Sequence, residues 1–371
     1  MNMHLDPRTY RERLDRARAE MKSRGVDAMI LSLGHDMPYL MGYLAMPLER
    51  LTMLVIPQQG EASLIIPRLE APRVHEMNDV FAMVPWNETE DPVAIAHRLL
   101  GSAQTIAVGD QMWSRFLVDL LVHRPNARYV RSVTVMEALR SRKDSAEIAA
   151  LVAAGAAADR VAAQLQGGDI PLVGRTEAEV SADISARLIA EGHQKVNFAI
   201  VAAGENAASP HHHAGDRVIR HGEIVLCDFG GTMNGYCSDI TRCVHIGEPP
   251  KDIRDAYDVL MQAQSAGVGA GIVGSTCENV DAVTRAIIDS AGYGEYFVHR
   301  TGHGIGMEEH EDPYMVSGNT TLISAGHAYS VEPGIYVPGK WGMRLEDIVV
   351  ATADGPKPVN HANHDLVVLD R

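Results

Sequence analysis

The chain is short of several things, and each shortage narrows what it can be. It has four cysteines in 371 residues, Cys227, Cys237, Cys243 and Cys277, too few for a disulfide scaffold. Their spacings of ten and six between the first three do not match paired C-x-x-C zinc units, so packed thiols are the expectation. The opening stretch, MNMHLDPRTYRERLDRARAEM, is polar and charged and has no apolar run of the signal-peptide kind. No run is expected to approach the ~20 apolar residues of a membrane span. Basic residues are scarce: 33 Lys and Arg against 48 Asp and Glu give a net charge of −15. That argues against a nucleic-acid partner, because phosphate contact needs clustered cations. Together these readings predict a cytoplasmic protein with no nucleic-acid and no membrane partner.

With 46% apolar and 22% charged residues, the composition is that of an ordinary globular protein, and the length exceeds one ordinary core and suggests two domains. The first ~135 residues read as α/β. RTYRERLDRARAEMKSRG is an amphipathic helix ending at Gly25, and DAMILSL, LTMLVIP and EASLIIP are short runs suited to buried strands. SAQTIAVGD and NARYVRSVTVM add two more strands. The character changes near 136–143, which places one domain at 1–138 and a second at 139–371. The second opens with an Ala-rich linker helix at about 144–166, whose Ile148, Leu151, Val152 and Val161 are spaced for packing. Helices are then predicted at 175–192, 250–270 and 277–291, and strands around 196–202, 223–247, 328–337 and 343–352. Hairpins alternating with separate helices indicate an α+β domain, with helices over one face of a mainly antiparallel sheet. No internal repeat is visible by sequence identity.

The segment EIVLCDFGGTMNGYCSDITRCVHI reads as two alternating strands around Asn234-Gly235, a strong hairpin signal. If those two residues form the loop, Met233 pairs with Tyr236, Asp228 lies opposite Thr241 and Asp239 opposite Gly230. Both aspartates then share a face as diagonal neighbours. Two carboxylates on an otherwise apolar face repel each other and resist desolvation, and a cation removes both penalties. A solvent-facing pair is the plainer alternative. HRTGHGIGMEEHEDPY then brings His299, His303 and His310 into a glycine-rich frame, and glycines let backbone approach a site closely. YSVEPGIYVPGKWGMRLEDIVV supplies Glu332 and Glu346 on two further strands. Arg344 and Glu346 differ by two and share a face. Glu332 joins that face if the intervening loop holds an odd number of residues or a bulge. Asp228, Asp239, Glu332 and Glu346 together ask for about two divalent cations, with neutral His303 completing the ligands. Such a pair of ions activates water at neutral pH.

This order of motifs, D-x10-D, then GHGIG, then EPG, then R-x-E-D, resembles the M24 metallopeptidases, the pita-bread fold. Within them it is similar to Xaa-Pro dipeptidases (prolidases) and aminopeptidase P. ENAASPHHHAGDR ahead of the hairpin and a creatinase/prolidase-type N-terminal domain support this. The resemblance implies that Asp228, Asp239, His303, Glu332 and Glu346 are metal ligands. It makes His211 a substrate-side histidine, His299 and His310 further active-site histidines, and Arg344 a substrate-contacting or orienting arginine. Spacing does not fix which of His211, His212 and His213 faces the site; the substrate-side role is assigned to His211. The implied activity is a metallo-exopeptidase cutting Xaa-Pro bonds with two divalent ions, Mn2+ or else Co2+ or Zn2+, in a homodimer. Glu332 is expected to take a proton from the nucleophile, and His310 to stabilise the oxyanion or pass a proton to the leaving nitrogen. The alternatives are an aminopeptidase P acting on longer peptides and a creatinase-like amidohydrolase. In SLGHDMPYLMGYLAMPLERL, a candidate substrate loop, Asp36 and Arg50 are a candidate pair for the dipeptide's charged ends, with ordinary surface charges the plainer alternative.

Overall fold

The computed structural model describes residues 5–370. The first four residues of the polar N-terminal stretch and residue 371 lie outside the described residues. The chain divides between Arg140 and Ser141 into two compact units.

The first unit is built on a six-stranded sheet. Its spatial order is Phe81–Trp86, Ala62–Pro67, Met53–Pro57, Ala28–Leu31, Thr105–Val108, Arg128–Arg131. Ala28–Leu31 runs antiparallel to Met53–Pro57 and parallel to Thr105–Val108, so the sheet is mixed. Ile30, Val55, Ile65, Ile106 and Leu120 share one buried cluster. Two segments differ from the sequence reading. NARYVRSVTVM is a strand only as far as Arg131, and Val133–Arg140 is a helix. The β-branched run favours a strand, but Val135, Met136 and Leu139 fall on one helical face and all three are buried, so packing overrides propensity. The candidate substrate loop contains a short helix, Asp36–Met41, with Met37 to Met41 buried. Asp36 accepts a hydrogen bond from Arg140 at 2.7 Å. Arg50 donates to Glu88 at 2.7 Å and pairs with Glu49. Each charge of the proposed substrate pair is therefore spent on a neighbour in its own unit.

The second unit opens with the helix Ser145–Gln166, held by an Asp144–Glu147 capping box. Its buried stripe runs through Leu151, Ala154, Ala158, Val161, Ala162 and Leu165, whereas Val152, expected to pack, is 45% exposed. This helix is long and apolar enough to cross a membrane by length and composition, contrary to the expectation that no segment would be. Those qualities serve here to bury its stripe against Val225, Val244 and Ile246.

Glu177–Ala190 follows it, and a second helix pair, Lys251–Ala270 and Cys277–Ser290, has a similar construction. In both pairs the second helix starts just after a threonine, Thr176 or Thr276, held by an isolated β-bridge. Identity alone does not show this repeated build. The first sheet orders Val367–Leu369, Ile240–Ile246, Ile224–Met233, Lys195–Ala203. Its strands alternate between two cores rather than one. Val201, Val225 and Cys227 face the first helix pair. Ala202, Leu226 and Cys243 face Lys251–Ala270 and a two-stranded ribbon, Gly334–Val337 with Trp341–Arg344. Helix cover on one face was expected; this sheet is buried on both. A second sheet orders Glu311–Met315, Gly302–Gly304, Ala328–Val331, Asp347–Thr352, Gly355–Pro358.

Candidate metal centre and active site

The hairpin has the register that its turn dictates. Asn234 and Gly235 both have positive φ, 52° and 83°, the pairing a two-residue I′ turn requires. Met233 pairs with Tyr236 and Asp228 with Thr241. By alternation Asp228, Asp239 and Thr241 point to the same side as Leu226 and Cys243. The distal hairpin has three loop residues, 338 to 340, between Val337 and Trp341. That odd number lets Val331↔Asp347 and Gly334↔Arg344 belong to one register, which sets Glu332 opposite Glu346. An isolated bridge, Thr241↔Glu346, ties the two hairpins together.

The result is a cavity of about 520 Å3. All nine candidate residues line it: Asp228, Asp239, His303, Glu332 and Glu346, with His211, His299, His310 and Arg344. Asp239, His303 and Glu346 each offer a ligand atom within 4.8 Å of the others. The Nε2 of His303 lies 3.3 Å from Glu332 and 3.7 Å from Asp239. Its Nδ1 is 3.0 Å from the Gly304 carbonyl, which only a protonated Nδ1 can satisfy. Nε2 then carries its lone pair toward the carboxylates, as a metal ligand must. Burial holds the ring neutral, pushing its pKa down to about 3.

The carboxylates are only partly satisfied by the protein. Oδ1 of Asp228 and Oδ1 of Asp239 are buried without a hydrogen-bond partner. Burial, with repulsion from its neighbours, pushes Asp239 and Glu346 well above the usual carboxylate range. Glu332 rises to about 7, burial outweighing the pull of Arg344. Four carboxylates outnumber the two guanidinium groups of the cavity, Arg344 and Arg300, and the orphaned oxygens mark where a cation would be coordinated. The donor set of hard oxygens plus one imidazole fits a divalent ion.

Three residues of this network escaped the sequence reading. Thr241 donates to Glu346 at 2.7 Å and accepts from Arg344 Nε at 3.1 Å. Arg344 also grips Asp228 and donates to the Tyr336 hydroxyl at 2.7 Å. Tyr336 in turn lies 2.8 Å from His299 Nε2, whose Nδ1 is 2.7 Å from the Arg300 carbonyl. Both nitrogens of His299 are thus occupied, and burial keeps its ring neutral with a pKa near 4. His299 therefore has no ring N–H to offer a substrate. The register offered one signal for Thr241, its position opposite Asp228; nothing marked Tyr336. Arg300 also lines the cavity, its guanidinium 4.3 Å above the Tyr314 ring. Among the histidines of 211 to 213, His211 reaches the cavity, while His212 is bound to buried Glu177 at 2.8 Å. The four cysteines are buried and free.

Residues 145–353 match metallopeptidase family M24, and residues 13–142 match the creatinase/prolidase N-terminal domain. The chain belongs to metallopeptidase family M24. It is 42% identical over 370 residues to the "probable dipeptidase PepE" of Mycobacterium tuberculosis, covering 98% of each chain. It is 36% identical to the "Xaa-Pro dipeptidase" of Lactobacillus helveticus, over 96% of this chain and 98% of that one. The crystal structure of dipeptidase PepE from Mycobacterium ulcerans superposes with a TM-score of 0.94 at 42% identity, covering 99% of each chain. The M24 membership makes the site that of a metallopeptidase requiring a divalent ion, on a pita-bread domain with a creatinase-type N-terminal domain.

Proposed function

We propose that this M24 chain is a Xaa-Pro dipeptidase using two divalent ions, preferably Mn2+, held by Asp228, Asp239, His303, Glu332 and Glu346. Four carboxylates are neutralised by two such ions, and the oxygen-rich donor set favours Mn2+ while accepting Co2+ or Zn2+. The observation that carries the dipeptide reading is the rest of the cavity wall. Phe198, Ile200 and Pro210 line the same cavity, with Ile200 beside Asp228 on the neighbouring strand, and give it an apolar part suited to a pyrrolidine ring. Arg300 forms no ion pair among the described residues and meets the free carboxylate that a dipeptide, unlike a longer peptide, carries beside its proline. Relatives named Xaa-Pro dipeptidase support the same substrate. Free, buried thiols agree with a reducing cytoplasm, and the family resemblance adds a homodimer.

Divalent ions held by these residues supply Lewis acidity toward the scissile carbonyl and toward water. The chain's own groups do the rest. Glu332, whose Oε1 lies 3.3 Å from His303 Nε2 within the carboxylate cluster, is placed to accept the proton of the attacking water. Burial lowers the His310 pKa below its usual value, so near neutral pH its ring donates an N–H to the developing oxyanion or relays a proton to the leaving prolyl nitrogen. Arg344 fixes Asp228, Thr241 and Tyr336 in place, and His211 closes the proline side.

The test is a panel of Xaa-Pro, Xaa-Pro-amide, Xaa-Pro-Xaa and Xaa-Ala substrates with the Mn2+-loaded enzyme. Xaa-Pro should be cleaved at least about tenfold faster than the amide, since one charge-assisted contact is worth roughly 1.5–3 kcal/mol. Preference for Xaa-Pro-Xaa would replace this reading with an aminopeptidase. Absence of any proline dependence would remove it.

A further inference from the structure

Three residues past the linker boundary lies an ion pair that the chemistry above does not use. Lys143 Nζ donates to Glu311 Oε1 at 2.6 Å, with side chains only 1% and 8% exposed. A buried pair of this kind contributes little net stability, since desolvation cancels most of the attraction. Its place in the chain is more telling. Glu311 directly follows His310 and begins the strand Glu311–Met315. Successive residues of an extended chain point to opposite sides. Glu311 turns inward to Lys143 while His310 turns into the cavity, its ring centroid 4.0 Å from that of His303.

No described protein group hydrogen-bonds the His310 ring, so its angle is set by backbone and by contact with His303. The backbone is held on both flanks of the pair. Lys143 N donates to Gly326 O at 2.8 Å, and its Nζ also reaches Ser141 O at 3.4 Å. On the other side the loop turns back: Gly306 N donates to Glu308 O at 3.1 Å, and Cys237 N to Gly306 O at 2.8 Å. A side chain at Gly306 would collide with the Glu311 carboxylate, and one at Gly304 with the Glu311 carbonyl. The glycines of the Gly-His-Gly-Ile-Gly run therefore serve the seating of Glu311 as well as the approach of His303.

We infer that the buried Lys143–Glu311 pair is a positioning device that sets the orientation of His310 for proton relay or oxyanion contact. The kinetic part rests on the Xaa-Pro reading; the geometric part does not. Three variants test it: Lys143→Met, Lys143→Arg, and Lys143→Met with Glu311→Met. Each is loaded with diamagnetic Zn2+ for histidine-ring NMR, the His310 resonance being assigned by its loss in His310→Ala. Each is then assayed with Mn2+ on a Xaa-Pro dipeptide, alongside a thermal melt.

In Lys143→Met the His310 resonance should move while that of distant His245 stays. kcat should fall about 10- to 100-fold, the scale of a small misplacement of a catalytic group, with KM nearly unchanged. Lys143→Arg should recover most of both. The double variant removes both buried charges, so it should regain the melting temperature but neither the resonance nor kcat. An unmoved His310 resonance in Lys143→Met overturns the inference, as does a double variant regaining wild-type kcat with its stability, which would make the pair merely structural. A wild-type enzyme inert on all Xaa-Pro dipeptides sinks the substrate reading, and the resonance then decides the positioning by itself.

Discussion

Two charge clusters lie back to back on the same pair of strands, and they are treated in opposite ways. On one side Asp239, Thr241 and Glu346 face the cavity. One residue along, Arg242 and Asp347 face away from it. Arg242 is fully buried and spends its donors on Thr241 O (2.9 Å), Glu346 O (2.6 Å), Asp347 Oδ1 (2.8 Å), Ala362 O (3.0 Å) and Asn363 O (2.9 Å). Asp347 also receives Gln264 at 3.0 Å and His364 at 2.7 Å. Burial alone would raise Asp347, yet these bonds leave it below the usual carboxylate range. Across the strands the same burial, with too few donors, drives Asp239 and Glu346 upward. A buried charge that the protein satisfies is architecture; one that it leaves unsatisfied at matching depth is a site awaiting an ion.

The sharpest way to break this contrast is substitution on the cavity side. Glu346→Gln or His303→Ala should lower activity by about 10³-fold or more, given the several kcal/mol a metal contributes. Bound metal, measured by elemental analysis, should fall with it. In the metal-free protein Glu346→Gln should leave the melting temperature unchanged or raised, because it removes a repulsive charge. The opposite holds behind the strands. Arg242→Met takes from Asp347 its buried cationic partner and leaves the carbonyls that Arg242 bound without a donor, and should cost about 3–5 kcal/mol in a denaturant titration. If both substitutions destabilise the metal-free protein equally, the distinction fails.

A smaller effect sharpens the comparison with a buried group that is neutral by choice. His327 is buried, and burial with the nearby Lys143 and Arg142 charges pushes its pKa from 6.5 down to about 4. The unfolded chain takes a proton below about 6.5 that the folded one refuses until about 4. His327 therefore favours the fold above pH 6.5, and that contribution drains away as pH falls toward 4. At pH 5.5 the loss is on the order of 1 kcal/mol. His327→Gln should flatten this part of the stability–pH curve; an unchanged slope would assign the acid sensitivity elsewhere.

Much of the cavity was legible because hairpin registers are arithmetic. The Asn-Gly turn placed Asp228 opposite Thr241, and a three-residue loop satisfied the odd-number condition for Glu332 and Glu346. The partners of Asp36 and Arg50 were not legible, for the complementary reason. Charges in a loop carry no periodicity, and Arg140 and Glu88, which captured them, are far off in sequence. Val133–Arg140 was misread because β-branched composition outweighed a short helical spacing.

Local spacing by itself determined the alternation of the Asn-Gly hairpin and that Asp228 and Asp239 share a face, since side-chain direction in a strand follows from residue number. Only tertiary packing decided that the two hairpins meet at Thr241 and Glu346, and that Tyr336 closes on His299. It also decided that Arg242 satisfies one face while the other is left with bare oxygens. Those outcomes depend on desolvation and on partners a hundred residues apart, and no pattern within a single strand encodes them.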